Sequence, residues 1–173
     1  MSGVRIPPGS PYSKPLSSNE RILGLCLEIV VQIHEAAPLY YEDVMNTAVQ
    51  DAINNFCTYT VPIDGEIVGS STIPGLSPRD HDVLILVGKF DAFTYKRAGL
   101  VQTSAAKEKY QLEADGPFQV WTDEKRNVDF IITRSEELYQ KFKDANELCI
   151  RLNLKKRDDR VRLFQYIVYG KMT

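Results

Sequence analysis

Apolar and polar positions follow one another along this chain in blocks of distinct period. Residues 1–18 carry Pro7, Pro8, Pro11 and Pro15 among Gly and Ser, a composition that cannot bury enough surface to order itself alone. Ile22, Cys26, Ile29, Val30 and Ile33 then recur at helical intervals as far as Pro38, behind a Ser17 and Glu20 at capping-box spacing. A second helix is predicted from Tyr41 to Phe56, with Val44, Ala48, Ala52 and Phe56 on one stripe. From Thr58 strand formers and turn residues take over: Pro62 and Asp64-Gly65 punctuate the stretch, and Ile67-Val68 lead into Gly69. Val83 to Val87 is an uninterrupted apolar run and reads as a strand. Phe118 to Trp121 and Val128 to Thr133, on either side of the polar turn Thr122 to Asn127, predict a hairpin. Two helices close the chain. The first is capped by Ser135 and striped by Leu138, Phe142, Ala145 and Cys149; the second runs from about Asp158 through Val161, Phe164, Ile167 and Val168 to Gly170. The stretch Phe90 to Leu112 has no assignable period.

Composition narrows the class. A chain of 173 residues, 43% hydrophobic and 25% charged, suits one domain with a real core. A formal charge of -2 and a pI near 5.7 argue against a surface wholly given to nucleic acid, while leaving room for a local basic patch. Cys26, Cys57 and Cys149 are far apart and form no CxxC pair, so neither a zinc site nor a disulfide framework is indicated. No apolar run approaches the roughly 20 residues that span a bilayer, and the N-terminus lacks the apolar core of a secretory signal, so the expectation is a cytoplasmic protein without membrane partners.

The chemistry is concentrated between Val68 and Val87. Gly69-Ser70 ends one apolar run, and Asp80 and Asp82 open the next. In an extended chain these two carboxylates share a face and His81 takes the other. They repel unless a cation lies between them, and a hard ion held by a few carboxylates plus phosphate oxygens, Mg²⁺ or Mn²⁺, meets that need. Asp129, between Val128 and Phe130, is a third acid that is costly to bury without a partner. The Gly-Ser turn offers backbone N–H groups and a hydroxyl to an anion. From Arg151 to Arg162, Arg151, Lys155, Lys156, Arg157, Arg160 and Arg162 outweigh Asp158 and Asp159. That segment reads equally as a solvated helix start or as a surface for a triphosphate or a nucleic-acid backbone. Arg79 stands beside Asp80, and Lys89, Lys96 and Arg97 are further basic residues nearby in sequence.

Val68-Gly69-Ser70, the spacer Ser71 to Arg79, Asp80-His81-Asp82 and Val128-Asp129-Phe130 together resemble the signature of the DNA polymerase β nucleotidyltransferase superfamily. The resemblance covers roughly Gly65 to Thr133 and departs from the pattern at His81, where an aliphatic residue is usual. The tail from Arg151 to Lys171 is further similar to small phage-encoded proteins of this kind. The resemblance implies an α/β (α+β) nucleotidyltransferase fold, a mixed twisted sheet packed by N-terminal helices. Residues 19–134 would form its core, with a flexible arm at 1–18 and a C-terminal helical segment of the same domain at 135–173. It implies transfer of a nucleoside monophosphate from a nucleoside triphosphate (NTP) to a hydroxyl on a small molecule, protein or RNA. Asp80, Asp82 and Asp129 would serve as catalytic and metal-binding residues, and Gly69 and Ser70 would hold the triphosphate, helped by Arg79, Lys155, Arg157 and Arg160. So short a chain leaves little to build an acceptor domain, which makes a partner-borne acceptor or a homodimer sharing the cleft an expectation. The alternatives are a catalytically silent module of the same fold that binds a nucleotide or a partner protein, and a structural protein that uses none of these residues.

Overall fold

The computed structural model describes residues 42–102 and 117–170. The arm, the helix expected up to Pro38, residues 103–116 and Lys171 lie outside the described residues. The elements are helix α1 (Glu42–Tyr59), strand β1 (Pro62–Val68), a 3-10 turn (Gly69–Thr72), β2 (His81–Val87), a short helix α2 (Ala92–Arg97), β3 (Phe118–Asp123), β4 (Val128–Thr133), α3 (Glu136–Arg151) and α4 (Arg157–Tyr169). The strands form one mixed sheet in the order β1-β2-β4-β3. Its central pair, β2 and β4, is parallel, and each edge strand runs antiparallel to its neighbour.

Helices cover both faces of the sheet, which explains why β2 and β4 are apolar runs without alternation. Val83, Ile85 and Val87 of β2 and Val128, Phe130 and Ile132 of β4 join Val49, Ile53 and Phe56 of α1 and Tyr95 of α2 in one core. Leu84, Leu86 and Ile131 turn the other way, to Tyr139 and Phe142 of α3 and Val168 of α4. The first core is bound by rings: Phe56 stacks on Phe130 at 4.9 Å between centroids, and Trp121 meets Tyr95 edge-on at 5.3 Å. The predicted α+β class is therefore observed, as a three-layer sandwich.

Three local expectations are corrected. Pro62 and Asp64-Gly65 do not interrupt a strand; they lie inside β1, with a register shift between Pro62 and Asp64. An edge strand tolerates a proline as its first residue and a bulge just after it. The buried stripe of α1 is Val49, Ala52, Ile53, Phe56 and Cys57, one position round from the expected one, because Ala48 is only half-buried. The unassigned stretch from Phe90 contains α2, fewer than two turns and so without a readable period. Asp91 caps it, its carboxylate accepting the Thr94 N–H at 3.0 Å, which holds that carboxyl below the usual range. The C-terminal helices and the hairpin lie close to the expected bounds. Ser135 Oγ accepts the Leu138 N–H, and Gly170 ends α4 in the left-handed region at φ 67°.

Candidate functional site

β1 ends at Val68 because Gly69 turns the chain at φ 81°, a conformation that costs any residue with a Cβ about 1–2 kcal/mol. The turn that follows is held from within: Ser71 Oγ donates to Val68 O at 3.1 Å and Thr72 Oγ1 to Gly69 O at 2.8 Å. Val68 pairs with Asp82 across the β1–β2 ladder, so the turn and the acid lie side by side. A Cβ on Gly69 would overlap Asp82 Oδ2. The glycine is needed twice here, for its backbone angle and for the room it leaves a carboxylate.

The acids follow from strand geometry. Asp82 and Asp129 are register partners on the parallel strands β2 and β4. Each precedes a residue of the α1-side core by one position, so both turn toward α3 and α4. They are 6% and 7% exposed, rare burial for carboxylates. Asp129 accepts the Thr122 hydroxyl from β3 at 2.6 Å. Asp80 lies just before β2, half-buried, and not within the strand as expected. The β3–β4 turn meets this end of β2: the Asn127 amide donates to Arg79 O, and His81 N–H donates to Asn127 O at 3.1 Å. His81 faces the α1 side, where burial pushes its pKa down against the opposing pull of Asp80.

A cleft of about 560 Å³ opens above the turn. Gly69, Ser70, Arg79, Asp80 and Asp82 line one side, and Lys155, Arg157 and Arg160, from the α3–α4 junction, line the other. All of these sequence-derived candidates thus meet at one cavity; Asp129 is beside it through Asp82 but is not among its lining residues. Four cations to two carboxylates leave the lining positively charged, as an anionic ligand requires. Lys155 reaches across to the loop above: a Cβ on Gly75 would come within 3.2 Å of its Nζ. Arg160 folds back on the junction, its Nη1 donating to Leu154 O at 3.0 Å and Lys155 O at 2.6 Å.

The floor is apolar and was not foreseen as part of a site. Ile131, Phe142, Cys149, Val161 and Phe164 contribute to it, with Phe142 and Phe164 in edge contact at 4.1 Å. Burial pushes the Cys149 thiol up, while Arg160 pulls the other way. Asn146, 3% exposed, was also missed: its Oδ1 accepts the Gly69 N–H at 2.8 Å and lies 3.4 Å from Thr72 Oγ1. The signal was a polar residue four positions after Phe142 and three before Cys149, on the helix face read as purely apolar.

The donors are suited to a hard cation. Carboxylate oxygens at Asp80 and Asp82 fit Mg²⁺ or Mn²⁺, ions commonly held by one or two carboxylates with phosphate oxygens and waters completing the shell. Among the described residues no group of three or more His, Cys, Asp or Glu side chains is arranged to hold a metal ion alone. Among the described residues, no helix is long and apolar enough to cross a membrane. Compared with protein families, curated proteins and solved structures, the chain has no significant match in any of the three.

Proposed function

We propose that the chain is a nucleotidyltransferase that moves a nucleoside monophosphate from an NTP to a hydroxyl acceptor and releases pyrophosphate. The observation that carries this reading is the contact of Gly69 with Asp82 inside a cleft rimmed by Lys155, Arg157 and Arg160. A turn that offers a hydroxyl, acids beside it and a cationic wall are things such a reaction needs in one place.

In this reading the Ser70 hydroxyl and the turn's backbone bind the outer phosphates, and the cations of the α3–α4 junction neutralise them. Asp80 and Asp82 would hold Mg²⁺ or Mn²⁺, which supplies, when bound, charge stabilisation of the transferring group. The acceptor oxygen forms a bond to the α-phosphorus while the bond to the bridging oxygen of pyrophosphate breaks. Asp129 takes the hydroxyl proton, and its position beside Asp82 in the next strand supports that role. The Thr122 hydroxyl orients the carboxylate for it.

A second reading, a silent module that holds a nucleotide or a partner protein, draws support from one feature. Asp129 is outside the cleft lining and already bonded to Thr122. Incubation with each labelled NTP, Mg²⁺ or Mn²⁺ and a cell extract separates the two. Label transfer that is lost in the Asp80→Asn, Asp82→Asn double variant supports the enzyme. Nucleotide binding with no transfer supports the module, and no nucleotide binding by calorimetry rejects the enzyme and the nucleotide-holding module alike.

A further inference from the structure

The amide of Asn146 is fixed by one end only. Its oxygen accepts the Gly69 N–H at 2.8 Å, with Thr72 Oγ1 at 3.4 Å, and this assigns which end of the amide is which: an N–H donor can face only the carbonyl oxygen. The NH₂ group therefore points away from the turn. No described residue accepts a hydrogen bond from it, although Asn146 is 3% exposed and lines the cleft. The amide nitrogen is not itself a buried atom without a partner; its N–H groups reach the cleft, where water or a ligand takes them.

We infer that Asn146 is a ligand-binding residue whose Nδ2 donates to a phosphate oxygen of the bound triphosphate. The inference rests on the nucleotide reading above and extends it from the loop to helix α3. With its oxygen engaged by Gly69, the amide offers donors alone, and the partner that matches is an acceptor oxygen. The neighbours favour an anionic one, because Lys155, Arg157 and Arg160 face the same cavity. A neutral amide also suits the place better than an acid would: aspartate could accept the Gly69 N–H equally well, but it would add a negative charge beside Asp82 where the triphosphate must enter. The residue thus joins the turn to the ligand, and the turn's geometry is read by the same side chain that completes the phosphate contacts.

The test is side-chain amide NMR of the ¹⁵N-labelled full chain, with the Asn146 signal assigned by its disappearance in Asn146→Asp. Added inorganic triphosphate is expected to move the Asn146 Nδ2 proton signals as it saturates. Calorimetry with the same ligand is expected to show Asn146→Asp weakened about tenfold or more, the acceptor for Gly69 being retained while the donors are lost and a charge is added beside Asp82. Asn146→Ala is expected to lose affinity for an NTP but not for the corresponding uncharged nucleoside. Triphosphate binding that leaves the Asn146 signals unmoved overturns this inference and spares the nucleotide reading; failure of both triphosphate and NTP to bind overturns the two together.

Discussion

Gly69 is packed so closely on the carboxylate of Asp82 that no other residue fits its place without moving the acid. Gly170 has a similar backbone, at φ 67°, but a Cβ there meets nothing within 4 Å. The pair separates backbone strain from contact. Gly170→Ala is expected to cost about 1–2 kcal/mol, the left-handed penalty alone. Gly69→Ala should cost that and a further ~1–3 kcal/mol for overpacking, measured by urea unfolding, and should also abolish triphosphate binding. Equal costs at the two positions would mean that Asp82 can rotate away freely, and that the turn and the acid are not coupled.

Arg160 lines the cleft and also holds the backbone of the α3–α4 junction, through Leu154 O and Lys155 O. Replacing Arg160 by Gln is expected to destabilise the fold by about 1–2 kcal/mol, since its charged hydrogen bonds end on carbonyls of the linker that presents Lys155. The same variant should weaken inorganic triphosphate binding and flatten its dependence on salt. Thermal melts with calorimetry at two ionic strengths distinguish the two effects; an Arg160 variant that binds less but melts normally would refute the bracing role.

The fold and the site were legible to different depths, for reasons that lie in the range of the interactions. β2, β4, α3 and α4 could be read because each carries its own signal: an unbroken apolar run, or a stripe with a cap such as Ser135 or a terminator such as Gly170. The acids Asp80, Asp82 and Asp129 stood out because carboxylates beside Val128, Phe130 and the β2 run are costly there. Local pattern did not bring them together; only the family resemblance implied that they share a site. That Asp82 and Asp129 are neighbours depends on β2 pairing with β4 rather than with β3, a choice made by chain crossover and not by local pattern. Asn146 was hidden for a similar reason, since its partner Gly69 is 77 residues away and its helix face is otherwise apolar. Pro62 misled because proline marks a break in most of a sheet and not at the start of an edge strand.

His81 gives the site's neighbourhood a pH dependence whose sign is fixed by burial. It lies between Asp80 and Asp82 but faces the α1 side of the sheet, half-buried, and among the described residues its Nε2 has no hydrogen-bond partner. Burial lowers its pKa below the ordinary 6.5, with Asp80 pulling weakly upward. The unfolded chain therefore takes up a proton first as pH falls through 6.5, and the native state is weakened from there down to its own lower pKa. Replacing His81 by Leu, an apolar side chain of the kind that fits beside Val83 and Ile85, removes that proton uptake. Urea unfolding at about pH 7.5 and about pH 5 should then show a smaller loss of stability in His81→Leu than in the wild type, the carboxylates contributing alike to both. The variant should also be at least as stable as the wild type at the higher pH, because a buried ring nitrogen has been exchanged for hydrocarbon. Parallel losses in the two proteins would mean that the imidazole reaches water and protonates normally in the native state.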